Sequence, residues 1–222
     1  MTLLHPPYTA WHLAYVALGA AAAPVMFHTR LIATLVAFFL AVGIGAHALD
    51  ELQGRPLQTR LSDRMLVGMA IVSIGLAAVI GIIGAVMVSW WIAVFVVIGV
   101  VLVVAYNLEL FGGWFHTDVW FAIAWGAFPA LVGYVVNAGT IRWPGLVVAL
   151  GCLALSVAQR ALSAPVRELR RRTSDLDGIQ QLHDGTTIEL SVTRLAAPLE
   201  RALMAMSCGV VLIAAGAVAA RW

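Results

Sequence analysis

Three side chains able to move a proton or hold a cation stand together in the stretch GAHALDELQGRPLQTRLSDR, residues 45–64: His47, Asp50 and Glu51. Their i, i+3, i+4 spacing puts them on one face of a helix. They close a run, LIATLVAFFLAVGIGAHAL, that carries almost no other polar side chain. Ionisable groups inside such a helix are costly, and by default they line a cavity or pair with one another. Glu51 also reads as a solvated helix end, and His47 either as a functional group or as the partner of Asp50 in a buried hydrogen bond. Gly54-Arg55-Pro56 then stops the helix, because proline disfavours helical geometry in the residue before it. Arg55 and Arg60 follow close to the carboxylates, where guanidinium groups serve a diphosphate as bidentate partners or form ordinary surface ion pairs.

Two further constellations repeat this pattern. Tyr106, Asn107, Glu109, Gly112-Gly113, His116 and Asp118 follow the fourth apolar run; the paired glycines permit close backbone approach to a ligand, and His116 and Asp118 are placed to pair within the loop. After the sixth run, Arg167 to Arg172 form a basic cluster that would attract anionic lipid head groups or a diphosphate. Asp175, Asp177, His183 and Asp184 come next and offer oxygen ligands for a hard divalent cation. Glu-Leu pairs begin at residues 51, 109 and 168, about one helical hairpin apart, which reads as a weak internal repeat. The expectation is three acidic helix ends converging on one face.

The elements that must position these groups are membrane spans. Of the 222 residues, 62% are hydrophobic and 11% charged, and the mean hydropathy is +0.96, more apolar surface than a soluble domain of this size can use. Seven candidate spans lie near 11–27, 31–50, 65–87, 89–107, 118–138, 143–163 and 202–220, giving an all-α polytopic bundle in one domain over 1–222. The first is expected to be a retained span, not a signal peptide. Long polar connections at 51–64, 107–117 and 164–201 share one side. That side holds ten of the thirteen arginines, so the N-terminus and all three long loops are expected in the cytoplasm. Trp90, Trp91 and Trp143 sit at the short turns opposite, as an interfacial belt requires. There is no lysine, which excludes a lysine Schiff base, and Cys152 and Cys208 lie inside apolar runs as small packing residues. No serine-nucleophile motif, phosphate-binding glycine loop, zinc spacing or nucleic-acid module is present. His12 and Tyr15 read as interfacial.

The order of parts resembles the UbiA superfamily of intramembrane prenyltransferases. AVGIGAHALDELQGRPLQTRLS is similar to that family's Asp-rich first motif with its following Arg-Pro-Leu, and AYNLELFGGWFHTDVWFAIAWGAFPALVGY to its Tyr-led segment after helix four. The likeness spans roughly residues 10 to 180 and implies a bundle of about seven helices, shorter than the family's usual nine, at the cell membrane. Aligned on Arg55-Pro56-Leu57, the family's motif falls on Ala46, His47, Asp50 and Gly54, so Asp50 alone keeps its carboxylate. The lysine after the family's tyrosine falls on Leu110. What the resemblance implies is transfer from an isoprenoid diphosphate, or another hydrophobic small molecule, at a cytoplasm-facing cavity amid membrane lipid. Asp50, Glu51, Asp175 and Asp177 would hold Mg2+; Arg55, Arg60 and Arg167 would take the phosphate; His47, Asp50 and Glu109 would be catalytic. The alternative is a non-catalytic isoprenoid- or lipid-binding protein on the same scaffold with its metal motifs lost. A third is a protein binding haem or a metal through His47 and a second histidine.

Overall fold

A computed structural model of the chain describes residues 6–221. Seven helices carry it: α1 Pro6–Ala21, α2 His28–Leu52, α3 Asp63–Met87, α4 Trp91–Asn107, α5 Asp118–Ala138, α6 Trp143–Arg172 and α7 Val192–Ala219. All but α1 and α4 are long and apolar enough to cross a membrane. These five mark the chain as an integral membrane protein. The outer faces agree: α3 buries only Leu66, Ala70 and Ser73 and leaves Ile71, Val72 and Val86 exposed, a surface that lipid tolerates and water does not. Between α6 and α7 lies a hairpin of two short strands, β1 Ile179–Gln181 and β2 Thr187–Glu189, antiparallel with Gln180 opposite Ile188.

Several boundaries differ from the expected ones. The first helix begins earlier and ends at Ala21 instead of 27, because Pro24 cannot continue it. The third polar connection shrinks to residues 173–191: α6 runs on to Arg172, and α7 starts at Val192, where the Ser191 side chain accepts from Arg194 N at 3.2 Å. Within the hairpin turn, Asp184 accepts from Thr186 N at 2.9 Å, and this hydrogen bond holds its carboxyl below the usual aspartate range.

Neighbouring helices pack in chain order, with α1 inserted among α2, α5, α6 and α7. Its deepest contact is with α5, where backbone meets backbone. A Cβ at Gly19 would lie 1.8 Å from Ala130 O, and one at Gly133 2.1 Å from Val16 O. Small residues at such a seam are what permit close association in lipid, where no hydrophobic force drives helices together.

Two helices change pitch midway. Residues Phe39–Ala46 of α2 and Ile123–Ala127 of α5 are π-helical. A wider turn leaves carbonyls off the ordinary ladder, and histidines collect one from each segment. His47 Nδ1 donates to Val42 O at 2.8 Å, and His12 Nδ1 donates to Trp125 O at 2.7 Å.

Candidate ligand cavity

A cavity of about 610 Å3 opens at the end of the bundle where α2, α4 and α6 finish, with walls from every helix except α3. The α2 wall presents His47 and Asp50. Because the carbonyl of Val42 can only accept, Nδ1 of His47 is the donor, and this contact leaves Nε2 unengaged. Tyr8 of α1 lies edge-on between two imidazoles, its ring centroid 4.5 Å from His12 and 6.4 Å from His47. Tyr106 of α4 stacks on His116 at 4.5 Å, and His116 Nδ1 donates back to Tyr106 O at 3.0 Å.

The α6 wall is cationic. Along its length it presents Gln159 and Arg160, then two turns on Arg167, then Arg170 and Arg171. Asp118 accepts from Arg160 Nε, while the guanidinium lies 5.3 Å over the Phe121 ring. Arg170 makes a two-point bridge to Glu200 of α7, both bonds 2.8 Å. Among the described residues no carboxylate lies within ion-pair distance of Arg167 or Arg171. Gln159 is 4% exposed and its Oε1 accepts no hydrogen bond. With Arg160 paired to Asp118 and Arg170 to Glu200, Arg167 and Arg171 are the lining arginines that have no carboxylate partner among the described residues.

Some of the expected residues meet here. His47, Asp50 and Arg167 line the cavity, and the helix ends bearing the three Glu-Leu pairs do converge. The glutamates themselves stay out of the lining. Glu51 is fully buried and accepts from Leu57 N at 2.9 Å, Thr59 N at 2.6 Å and Thr59 Oγ1 at 2.9 Å. Its carboxylate therefore folds the following loop instead of presenting oxygens to a metal. Glu109 is exposed on a left-handed turn, φ +49°, its Oε1 3.9 Å from His116 Nδ1. Arg55 is spent on Asp63 and on Leu61 O at 2.6 Å, and Arg60 is exposed outside the cavity. Asp175 and Asp177 are exposed in the α6–α7 connection and do not reach the lining. The hydrogen bond between His47 and Asp50 gives way to the one with Val42 O, and Asp118 pairs with Arg160 in place of His116.

Magnesium needs several oxygen ligands in near-octahedral order. The lining offers Asp50 and a Glu200 already held by Arg170, and among the described residues no three of His, Cys, Asp and Glu gather closely enough to hold a metal ion. This donor set does not fit such an ion. The cations of the lining, Arg160, Arg167, Arg170 and Arg171, all come from α6. Sequence reasoning overlooked Arg160, Gln159 and Tyr8 as site residues. The signal was present in one case, since a Gln-Arg pair closes the otherwise apolar sixth run and polar residues inside a span are expensive.

Fold and cavity together define a helical membrane protein with an arginine-lined cavity at one end of its bundle. No protein-family model matches the chain, and no curated protein and no solved structure matches it either.

Proposed function

We propose that this protein binds an isoprenoid diphosphate, or a lipid with a comparable phosphate head, in a cytoplasm-facing cavity of a UbiA-like bundle of seven spanning helices, N-terminus inside. One observation supports the reading: Arg160, Arg167 and Arg171 on α6 share a single cavity with His47 and Asp50 on α2. Arginine guanidinium groups match phosphate oxygens two at a time, and Arg167 and Arg171 are exposed, open to a ligand that arrives at this end of the bundle.

As an enzyme, the chain is a prenyltransferase. The carbon–oxygen bond to the diphosphate breaks, and the leaving group departs with the electron pair into the arginine wall. The allylic carbon bonds to a nucleophilic acceptor, whose proton passes to His47 Nε2, the lone pair that the Val42 contact leaves free. Asp50 beside it stabilises the resulting imidazolium. A second reading, a carrier that binds without turnover, draws on the commitment of Glu51 to its loop.

Thermal unfolding of the detergent-purified protein against geranylgeranyl diphosphate tests the binding, since a ligand of the folded state raises the melting temperature. Stabilisation that disappears in Arg167→Ala is the expected result; an equal shift in the variant overturns the assignment. Magnesium and chelator arms show whether the arginines suffice. Product formation that is lost in Asp50→Ala, with binding kept, distinguishes the enzyme from the carrier.

A further inference from the structure

The connection between α4 and α5, residues 108–117, differs from the other long connections at this end of the bundle: Glu109 is its one charged residue, and LFGGWF fills its middle. The fold leaves these apolar side chains outside. Leu110 is 39% exposed, Phe111 77% and Trp114 61%, and Trp114 packs only against its aromatic neighbours, Phe115 at 4.8 Å and Trp120 at 5.2 Å. We propose that this loop is a membrane-interface wedge, with Leu110, Phe111 and Trp114 seated among the lipid head groups at the arginine end of the bundle. The wedge does not depend on which ligand the cavity takes.

Length is the first argument. α4 has 17 residues, about 25 Å at helical rise, against a hydrocarbon core of roughly 30 Å. Trp90 and Trp91, stacked at 4.3 Å and both exposed, anchor its beginning at one interface. From that anchor the helix falls short of the opposite interface, and the apolar side chains of the loop cover the remaining distance. Continuity is the second argument. Val97 and Val101 are exposed on α4, and half-exposed Leu108 lies seven residues on along the same face, so the lipid-facing stripe of the helix runs into the loop. Backbone is the third. Leu110 N donates to Ala105 O at 3.0 Å, Gly113 N to Glu109 O at 3.0 Å and His116 N to Gly113 O at 2.8 Å. These internal bonds supply the partners that a bilayer boundary does not offer. Glu109 and Phe111 hold left-handed backbone, φ +49° and +57°, without being glycines, a costly conformation that lasts only where the surrounding structure imposes it. The result is a loop with two faces. Phe111 and Trp114 point out, while His116 lines the cavity beside Tyr106 and Asn107. Seated in the interface, the wedge sets the mouth of the cavity at the depth of the head groups.

Spin labels read the depth of the loop directly. Phe111→Cys, Trp114→Cys and Thr186→Cys, each in a Cys208→Ala background, take a nitroxide, while buried Cys152 stays unlabelled. The full chain is placed in nanodiscs of phosphatidylcholine and phosphatidylglycerol, both faces of which are open to water. Power saturation then compares the access of oxygen, which concentrates in lipid, with that of a water-soluble nickel chelate. Positions 111 and 114 should favour oxygen, and position 186, in the hairpin turn at the same end, should favour nickel. A second measurement needs no cysteine. Lipid brominated near the head group should quench the tryptophan fluorescence of the unmodified protein, and Trp114→Phe should lose part of that quenching. Nickel access at 111 and 114 equal to that at 186 overturns the wedge and leaves the aromatic patch to a soluble protein partner. Exclusion of both reagents also overturns it, because the loop would then be covered by protein, a second copy of this chain included. Equal quenching of the unmodified protein and Trp114→Phe overturns it as well, and that result stands even where a labelled variant fails to fold.

Discussion

At the scale of single residues, the same chemical type does opposite jobs a few ångströms apart. Asp50 and Glu51 are adjacent, yet Asp50 lines the cavity and Glu51 points the other way into its own loop. Glu51→Ala removes the acceptor of two backbone N–H groups and one hydroxyl inside a fully buried site, a loss of about 2–4 kcal/mol. Thermal unfolding should show it as a clear fall in melting temperature, whereas Asp50→Ala should unfold close to the unmodified protein. The reverse order would mean that the roles of the two carboxylates are exchanged. Sequence alone showed that three polar groups share a helix face, because spacing is a local property. It did not show which of them faces inward. That depends on Leu57 and Thr59 folding back, and on a loop with left-handed backbone at Arg55 and Gln58, φ +52° and +50°. Arg55 finds Asp63 nearby in the chain, one of the two outcomes its sequence context offered, while Arg160 pairs with Asp118, forty-two positions away, a contact that spacing does not announce.

Helices were far more legible than their ends. Seven apolar runs in the sequence became seven helices, since a run of that length has few other ways to satisfy its backbone in lipid. The π-helical turns in α2 and α5 left no trace in the hydropathy pattern, which reads apolar character and not helical pitch. Glycine content did announce close packing, though not its location. That location is testable at the α1–α5 seam. Gly133→Ala drives a methyl group against Val16 O and has no flexible side chain to displace; overpacking of this kind costs about 1–3 kcal/mol. Gly151→Ala on α6 meets nothing within 4 Å, and the better helix propensity of alanine makes it neutral or stabilising by less than about 1 kcal/mol. Melting temperatures of the two variants side by side decide it; equal effects would remove the seam's special status.

For the whole molecule, the distribution of arginine and the placement of the cavity make one argument. The end of the bundle with the long connections is also the end where the cavity opens and where Arg160, Arg167, Arg170 and Arg171 gather. Charge bias of this kind normally sets orientation during insertion. Here the same side chains would also meet the ligand, so topology and function cannot be varied independently. A phosphorylated lipid made on the cytoplasmic side reaches the site without flipping only if that end faces inward. Cysteine labelling in intact cells tests the orientation directly. Thr186→Cys in the hairpin turn and Thr140→Cys in the short α5–α6 connection place one thiol at each end, in a Cys208→Ala background that removes the exposed native thiol. A membrane-impermeant maleimide added outside should modify position 140 and leave position 186 untouched until the cells are opened. Modification of position 186 in sealed cells would invert the protein, turn the arginine cavity outward and remove the cytoplasmic supply of ligand on which the proposed function depends.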